Sequence, residues 1–256
     1  MFIELEPGPT PALAAIDTPH IDPLQHGLAL FNAEPPDYAR AAGWFRAAAE
    51  HDDRDGLAML GLCQLEGLGM PADPVQSRES LDRAAALGSA IGRFQLGRAL
   101  MTGRGGPADE AAGLSAYVTA SAQGHAEATF NLANCLYAGV GCLPDRLAAK
   151  ALYLRSRTLG CPLRPKGVRV HKRELKVVST LAQRLADPQR LVFLIQERQQ
   201  ELALVHAIAQ RQERKAQAKK SRTLRLAVGV VAAMAGTLGQ YLRPLSRDAG
   251  PTTVNY

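Results

Sequence analysis

Residues 57–88 read LAMLGLCQLEGLGMPADPVQSRESLDRAAALG, and three glycines in this stretch recur at a fixed distance along the chain. Gly67, Gly69 and Gly88 are each followed by two further glycines at steps of 36 residues. Because glycine makes up about 9% of the chain, chance predicts roughly 0.03 such triplets in one period. The three that occur therefore indicate an internal repeat.

Other positions keep the same 36-residue period over four copies. One column is leucine, one is aspartate and one is large and apolar: Leu24, Leu60, Leu96 and Leu132; Asp37, Asp73, Asp109 and Asp145; Phe45, Leu81, Tyr117 and Tyr153. No gap is needed to keep the columns in register, so we interpret the first two thirds of the chain as one repeat array.

Each copy has the pattern of a helical hairpin. A first helix, such as 57–66, ends at a Gly-x-Gly loop, because glycine adopts the positive φ that turns a chain out of a helix. Asp73 then stands where its carboxylate can accept a hydrogen bond from the first N–H groups of a second helix. Pro74 suits the first position of that helix, and Gly88 ends it. Stacked hairpins of this kind bury a continuous core and leave a curved groove.

The pattern Leu60-Gly61…Gly67-x-Gly69…Asp73…Ala84-Ala85…Gly88 resembles the Sel1-like repeat family, a relative of the tetratricopeptide repeats. It returns from Leu96 and from Leu132, so the resemblance covers about residues 24–160. The resemblance implies an all-α fold, a right-handed α-solenoid of three to four repeats, which binds proteins or peptides.

The first copy departs from the pattern. Phe31 and Ala33 replace the loop glycines and Asp52 replaces the terminal glycine, as expected of a capping unit. The predicted organisation is an N-terminal extension, four repeats, a linker, basic amphipathic helices, a transmembrane helix and a tail: 1–23; 24–52, 53–88, 89–124 and 125–160; 161–172; 173–222; 223–243; 244–256.

Charge is divided unevenly along the 256 residues, although the net charge is only +6. Residues 1–162 carry 12 Lys/Arg and 18 Asp/Glu, a net charge of −6, whereas residues 163–256 carry 18 and 6, a net charge of +12. A basic segment attracts phosphate, either of nucleic acid or of anionic lipid head groups. The first seven residues have neither a basic nor an apolar region, so no cleaved signal peptide is expected.

Two helices are predicted after the repeats. Leu175, Val178, Leu181 and Leu185 share one face of the first, and Asp187-Pro188 has the pattern of an N-cap and first position of the second. The second carries apolar residues near heptad spacing. Two interpretations stay open: these helices cap the end of the solenoid, or the second forms a short coiled coil.

A basic tract precedes an uncharged stretch near the C-terminus. The stretch, 226–242, reads LAVGVVAAMAGTLGQYL, and the basic flank favours a single transmembrane helix at 223–243 with the repeats on the cytoplasmic side. No aromatic residue for base stacking interrupts the tract, so we expect contact with anionic lipid and no nucleic acid. The expected lipid-contacting residues are Arg211, Arg214, Lys215, Lys219, Lys220, Arg222 and Arg225.

Small residues in the uncharged stretch predict close helix packing. Gly229, Ala233, Gly236 and Gly239 would let two such helices approach each other in a membrane, which suggests a homodimer through the C-terminal helices. The alternative is a soluble scaffold, in which this apolar helix packs internally or mediates self-association.

The sequence predicts no catalytic residues, no metal site and no cofactor. Cys63 and Cys135 share a column for small side chains, so buried inert thiols are expected. Cys142 and Cys161 form no C-x-x-C pair, and the six histidines form no H-E-x-x-H motif. The nucleophile motifs S-x-x-K and G-x-S-x-G are absent, which disfavours a cell-wall or β-lactam hydrolase, a label that some members of the family carry.

These observations predict a non-enzymatic adaptor. The solenoid groove would bind a protein or peptide partner, and the C-terminus would anchor the chain at the cytoplasmic face of a bacterial inner membrane. Tethering raises the effective concentration of partners at that membrane, which suits assembly or regulation of an envelope or secretion complex. The alternative location is the cytoplasm.

Overall fold

The computed structural model of the chain describes residues 22–241, except for the side chains of residues 222, 224, 233 and 235–241. The predicted extension up to residue 21 and the predicted tail at 244–256 lie outside the described residues. Contacts between Cα atoms divide the chain after Glu201 into two compact units, and each is described by itself.

Every regular element of the described residues is an α-helix. In chain order the helices are α1 (Pro23–Phe31), α2 (Tyr38–Glu50), α3 (Arg54–Glu66), α4 (Pro74–Ala86), α5 (Ala90–Thr102), α6 (Glu110–Ala122), α7 (Ala126–Ala138), α8 (Arg146–Thr158), α9 (Leu175–Arg184) and α10 (Pro188–Tyr241). The predicted all-α class is therefore confirmed for this part of the chain. Seven of the eight repeat helices have 13 residues, and α1 has nine.

The first eight helices form four stacked hairpins. Helices pair as α1 with α2, α3 with α4, α5 with α6 and α7 with α8, and each hairpin also packs its first helix on the second helix of the hairpin before it. The first helices α3 and α5 touch each other as well. This succession of antiparallel pairs is the solenoid that the 36-residue period predicts.

The aspartate column caps the second helix of every hairpin, as predicted. Oδ1 of Asp37 accepts a hydrogen bond from the backbone N–H of Arg40 at 3.1 Å. The equivalent bond to Asp109 measures 2.9 Å, and so does the one to Asp145. Asp73 accepts two such bonds, and Pro74 follows it at the first helical position.

The loop glycines take the conformation that the sequence pattern requires. Gly105 has a φ of +77°, and a Cβ atom built on it would overlap the carbonyl oxygen of Pro74 in the preceding hairpin. The first repeat shows the same requirement without glycine, since Asp52 has a φ of +57° at the column that Gly88 occupies later. Asp52 thus places the first hairpin in the same register as the others.

The core follows the apolar columns. Phe45, Leu81, Tyr117 and Tyr153 are all buried. Aromatic pairs reinforce the hairpins, for example Phe130 with Tyr153 at 5.4 Å between ring centroids. Burial of these side chains supplies the main favourable free energy of the array.

The helices after the repeats continue the core of the last two hairpins. Val178 and Leu185 of α9 and Leu191 and Ile195 of α10 belong to the same buried cluster as the apolar residues of α6 to α8. Leu175, in contrast, is exposed. This arrangement is that of a capping segment, and it covers apolar surface that a terminal repeat would leave in water.

In the second unit, residues 202–241 continue α10 as a helix whose described side chains are mostly exposed. The predicted transmembrane helix at 223–243 is not supported: among the described residues, no helix combines the length and the apolar character needed to cross a membrane. Of the predicted packing residues, the side chains of Ala233, Gly236 and Gly239 lie outside the described residues.

We expect Gly105→Ala to destabilise the protein more than Gly124→Ala. Both glycines have positive φ, which costs an alanine about 1–2 kcal/mol, but a Cβ on Gly124 would meet no atom within 4 Å. At Gly105 the overlap with Pro74 adds about 1–3 kcal/mol. Urea unfolding of both variants measures the difference, and equal destabilisation would contradict the close approach.

Candidate interaction surface

An open concavity lies between α2 and α4, and α3 forms its floor. We call it the α2–α4 groove; its volume is about 620 Å³. Leu57, Leu60 and Gln64 of α3 line the floor. The walls are polar and come from the two flanking helices: Arg46, Glu50, Gln76, Glu79, Ser80 and Arg83.

A hydrogen-bonded amide is fixed at the floor of the α2–α4 groove. Nε2 of Gln64 donates to Oε1 of Gln76 at 2.8 Å, and the hydroxyl of Ser80 donates to Oε1 of Gln64 at 2.8 Å. Gln64 is only 6% exposed, so its orientation is set by these partners. A buried amide whose partners hold it in one orientation is a typical feature of a surface that recognises polar groups.

The polar floor is peculiar to the second repeat. Gln64 stands in a column that otherwise reads Leu28, Leu100 and Leu136, so leucine would satisfy the fold at this position. Gln76 is followed by Ala112 and Ala148 at steps of one and two periods, and Ser80 is followed by Ala116 and Leu152. Gln64 and Ser80 are polar where every other repeat has an apolar residue, and two such replacements that meet in one groove point to a function beyond packing.

The charged groups at the rim of the α2–α4 groove are mostly uncompensated. Arg83 pairs with Asp52, whereas Arg46, Glu50 and Glu79 are exposed and make no ion pair with any described residue. Two free carboxylates against one free guanidinium give the rim a slight negative excess, in keeping with the acidic character of residues 1–162. Such a rim favours a partner that presents basic and polar groups.

A second polar cluster joins the second and third repeats. Glu66 at the end of α3 accepts hydrogen bonds from Arg104 at 2.8 Å and from Arg98 at 3.2 Å. Arg104 also donates to the carbonyl of Leu65. Arg104, through its hydrogen bond and its charge, and Arg98 lower the pKa of Glu66. The cluster links the second and third hairpins, and Glu66 compensates one of its two positive charges.

The α2–α4 groove was not predicted from the sequence. A signal was present, because a polar residue in an otherwise leucine column is visible in the aligned repeats. The residues predicted instead, the basic tract from Arg211 to Arg225, lie in the second unit of the chain. Their described side chains are exposed, and the side chain of Arg222 is outside the described residues.

Cys63 and Cys135 are buried, as predicted. Burial raises the pKa of the Cys63 thiol to about 11 and that of Cys135 to about 12, so both stay protonated and unreactive at neutral pH. Cys142 and Cys161 are buried free thiols as well. Within residues 22–241 no group of three or more histidine, cysteine or acidic residues is placed to hold a metal ion.

The hairpins, their capped second helices and their glycine turns define a helical-repeat solenoid of the kind that presents a surface to other proteins. The Sel1 repeat family model matches residues 24–53, 54–89, 90–125 and 126–161. The chain therefore belongs to the Sel1 repeat family, which confirms the predicted resemblance. Proteins built from these repeats generally mediate protein–protein interactions, and the fold is typically a non-enzymatic scaffold.

The chain is similar to several solved structures, including two bacterial proteins. One is a Sel1 repeat protein from Oxalobacter formigenes, with 20% identity and a TM-score of 0.51 over 62% of this chain and 69% of that one. The other is c5321, a protective antigen present in uropathogenic Escherichia coli strains that displays an SLR fold; it has 26% identity and a TM-score of 0.48 over 54% of this chain and 30% of that one. No curated protein matched the chain.

We expect Glu66→Gln to lower the free energy of unfolding at pH 7 by up to about 1 kcal/mol, because it removes a partly exposed ion-pair cluster. The folded-state pKa of Glu66 is lowered, so this stabilisation is present above the unfolded pKa of about 4.3 and is lost as pH falls through the folded pKa. Urea unfolding from pH 7 to pH 3 measures the difference between wild type and variant. Glu79→Gln, at an unpaired carboxylate, is the control; the same pH dependence in both variants would contradict the assignment.

Proposed function

We propose that this protein is a Sel1-repeat adaptor that holds a polar, partly basic peptide segment of a protein partner in the α2–α4 groove. The observation that carries the proposal is the fixed amide of Gln64, which replaces the leucine of the other repeats and lies between Gln76 and Ser80. Its hydrogen-bonded orientation supports recognition of peptide polar groups, and the rim carboxylates Glu50 and Glu79 support a basic partner. The protein is proposed to act by binding, without catalysis.

The groove is tested by a photo-crosslinking side chain at residue 79, an exposed position on its wall. We expect one adduct in cells, and its mass spectrum identifies the partner for titration with purified proteins. Gln64→Leu should weaken that binding about 5- to 150-fold, since buried polar groups lose partners worth about 1–3 kcal/mol. The variant carries the residue of the other repeats, so it is expected to fold.

The control for this experiment is Gln25→Leu, which makes the same change at an exposed position of α1. It should leave the titrated affinity unchanged. Equal affinity of the wild type and Gln64→Leu for the crosslinked partner would overturn the groove assignment, even if the chain still acts as a scaffold elsewhere.

We further propose that the basic tract of α10 contacts anionic lipid at the cytoplasmic face of a bacterial inner membrane, where the adaptor would serve an envelope or secretion complex. Lys215, Lys219 and Lys220 are exposed and make no ion pair with a described residue. Exposed apolar side chains follow within the same helix, including Leu226 and Val230. Cationic side chains next to apolar ones suit the boundary of head groups and acyl chains.

Vesicle co-sedimentation tests the lipid contact. The full chain should bind phosphatidylglycerol-containing vesicles, and replacing the three lysines by glutamine should weaken binding on the order of a hundredfold, at about 1 kcal/mol for each charge. High salt should release the protein. Equal binding to neutral vesicles, or tighter binding to a duplex DNA fragment, would contradict the proposal. If the chain instead sediments as a dimer without vesicles, the exposed apolar residues of α10 serve self-association.

A further inference from the structure

A cavity of about 360 Å³ lies between α8 and α9, away from the α2–α4 groove. We call it the α8–α9 cavity. Its surface is mostly apolar, and none of the lining residues is acidic. Six residues define its shape: Leu154, Arg155, Leu159, Ser179, Ala182 and Ala186.

Arg155 is a buried cation without a counter-charge. The residue is 9% exposed, and Nη1 donates to the carbonyl of Leu185 at 2.6 Å. Nε has no hydrogen-bond partner, and no carboxylate among the described residues pairs with the guanidinium. Burial lowers the pKa of Arg155. A charge removed from water is costly unless it is paired, so this arrangement is incomplete as it stands.

The hydrogen bond to the carbonyl of Leu185 uses one of the five N–H donors of Arg155. Leu185 is the C-cap of α9, where a cation meets the negative end of the helix, so this bond helps to dock the capping helix on the repeats. A neutral donor would serve the same purpose at a lower desolvation cost. The equivalent positions one and three periods earlier are Thr119 and Ala47, and the one two periods earlier is Arg83, whose guanidinium pairs with Asp52. The hairpin therefore accepts a neutral residue there, and the other arginine of the column has the carboxylate partner that Arg155 lacks.

We propose that the α8–α9 cavity binds a carboxylate that stands next to an apolar side chain in a peptide of a partner protein. Arg155 would supply the charged hydrogen-bond donors, and Leu154, Leu159 and Ala182 would surround the apolar side chain. This site is separate from the α2–α4 groove and does not depend on the function proposed for it.

The surrounding charge supports an acidic ligand. Residues 163–187 carry seven Lys/Arg and two acidic residues, and both acidic groups are paired: Glu174 with Lys150 at 2.8 Å and Asp187 with Arg190 at 3.4 Å. A carboxylate therefore approaches a surface of opposite charge, which raises its association rate and disfavours basic ligands. The preference is opposite to that of the α2–α4 groove, whose rim carries free carboxylates.

Three short peptides test the proposal by calorimetric or NMR titration of the full chain. Acetyl-Leu-Glu-amide carries a side-chain carboxylate, acetyl-Leu-Leu carries a terminal one, and acetyl-Leu-Gln-amide is neutral and of nearly the same shape. We expect at least one acidic peptide to bind about tenfold or more tightly than the neutral one, because a charged hydrogen bond contributes about 1.5–3 kcal/mol. Which acidic peptide binds better distinguishes a side-chain from a terminal carboxylate.

Ala186→Phe tests whether binding takes place in this cavity. The exposed alanine lies at the rim, so the new ring fills the cavity and leaves Arg155 and its bond to Leu185 intact. Gln189→Phe adds the same ring at an exposed position outside the lining and is the matched control. We expect the first variant to abolish peptide binding and the second to keep it, with both retaining the helical signal and melting temperature of the wild type.

Two results would overturn the proposal. If the neutral peptide binds as tightly as both acidic ones, or if none of the three binds, Arg155 serves only to cap α9. If Ala186→Phe binds the acidic peptide like the control does, the carboxylate is bound elsewhere. Neither result bears on the crosslinking at residue 79, so failure here is distinguishable from failure of the groove.

Discussion

The close approach of each Gly-x-Gly loop to the preceding hairpin fixes how the repeats stack. At Gly105 the backbone lies so near the carbonyl of Pro74 that a single Cβ atom would overlap it. The same loop brings Asp109 to the start of the following helix, where it accepts the N–H of Ala112. One short segment therefore ends one helix, contacts the hairpin before it and caps the next helix. Once these three requirements are met, the spacing of the second helices is set, and with it the width of the α2–α4 groove.

A scaffold fixed in this way leaves other positions free to differ between repeats. Leu100 and Leu136 show that leucine fits the column of Gln64, so the glutamine is not required by the fold. Burying an amide instead of leucine loses transfer free energy, which hydrogen bonds to two neighbours only partly offset. The fold does not need glutamine in place of leucine at this position, whereas a surface that recognises polar groups needs a buried hydrogen-bonding side chain. The same reasoning applies to Arg155. Its hydrogen bond to Leu185 helps to dock α9, but a neutral donor could make that bond without burying a charge.

Much of the fold could be predicted because its constraints are local and periodic. Glycines at positive φ, aspartate caps and apolar columns each act within one hairpin, so they recur in the sequence wherever the hairpin recurs. Even the departure at Asp52 was visible, and its φ of +57° shows why an aspartate is tolerated where glycine usually stands. The candidate sites could not be predicted in this way, since Gln64, Gln76 and Ser80 meet only when α3 packs on α4. The predicted transmembrane helix at 223–243 gained no support, since no helix of the described residues is long and apolar enough to cross a membrane; the predicted segment extends beyond those residues.

The two candidate sites differ in charge, and this difference follows from the division of charge along the chain. The α2–α4 groove lies in the acidic repeats and has free carboxylates at its rim, whereas the α8–α9 cavity lies where the basic segment begins and contains a free guanidinium. A ligand suited to one is therefore repelled by the other. Two sites of opposite preference on one rigid array of hairpins allow an adaptor to bind two dissimilar segments without competition between them. The basic residues needed for the second site come with the capping helices, which the solenoid requires in any case to cover its last hairpin.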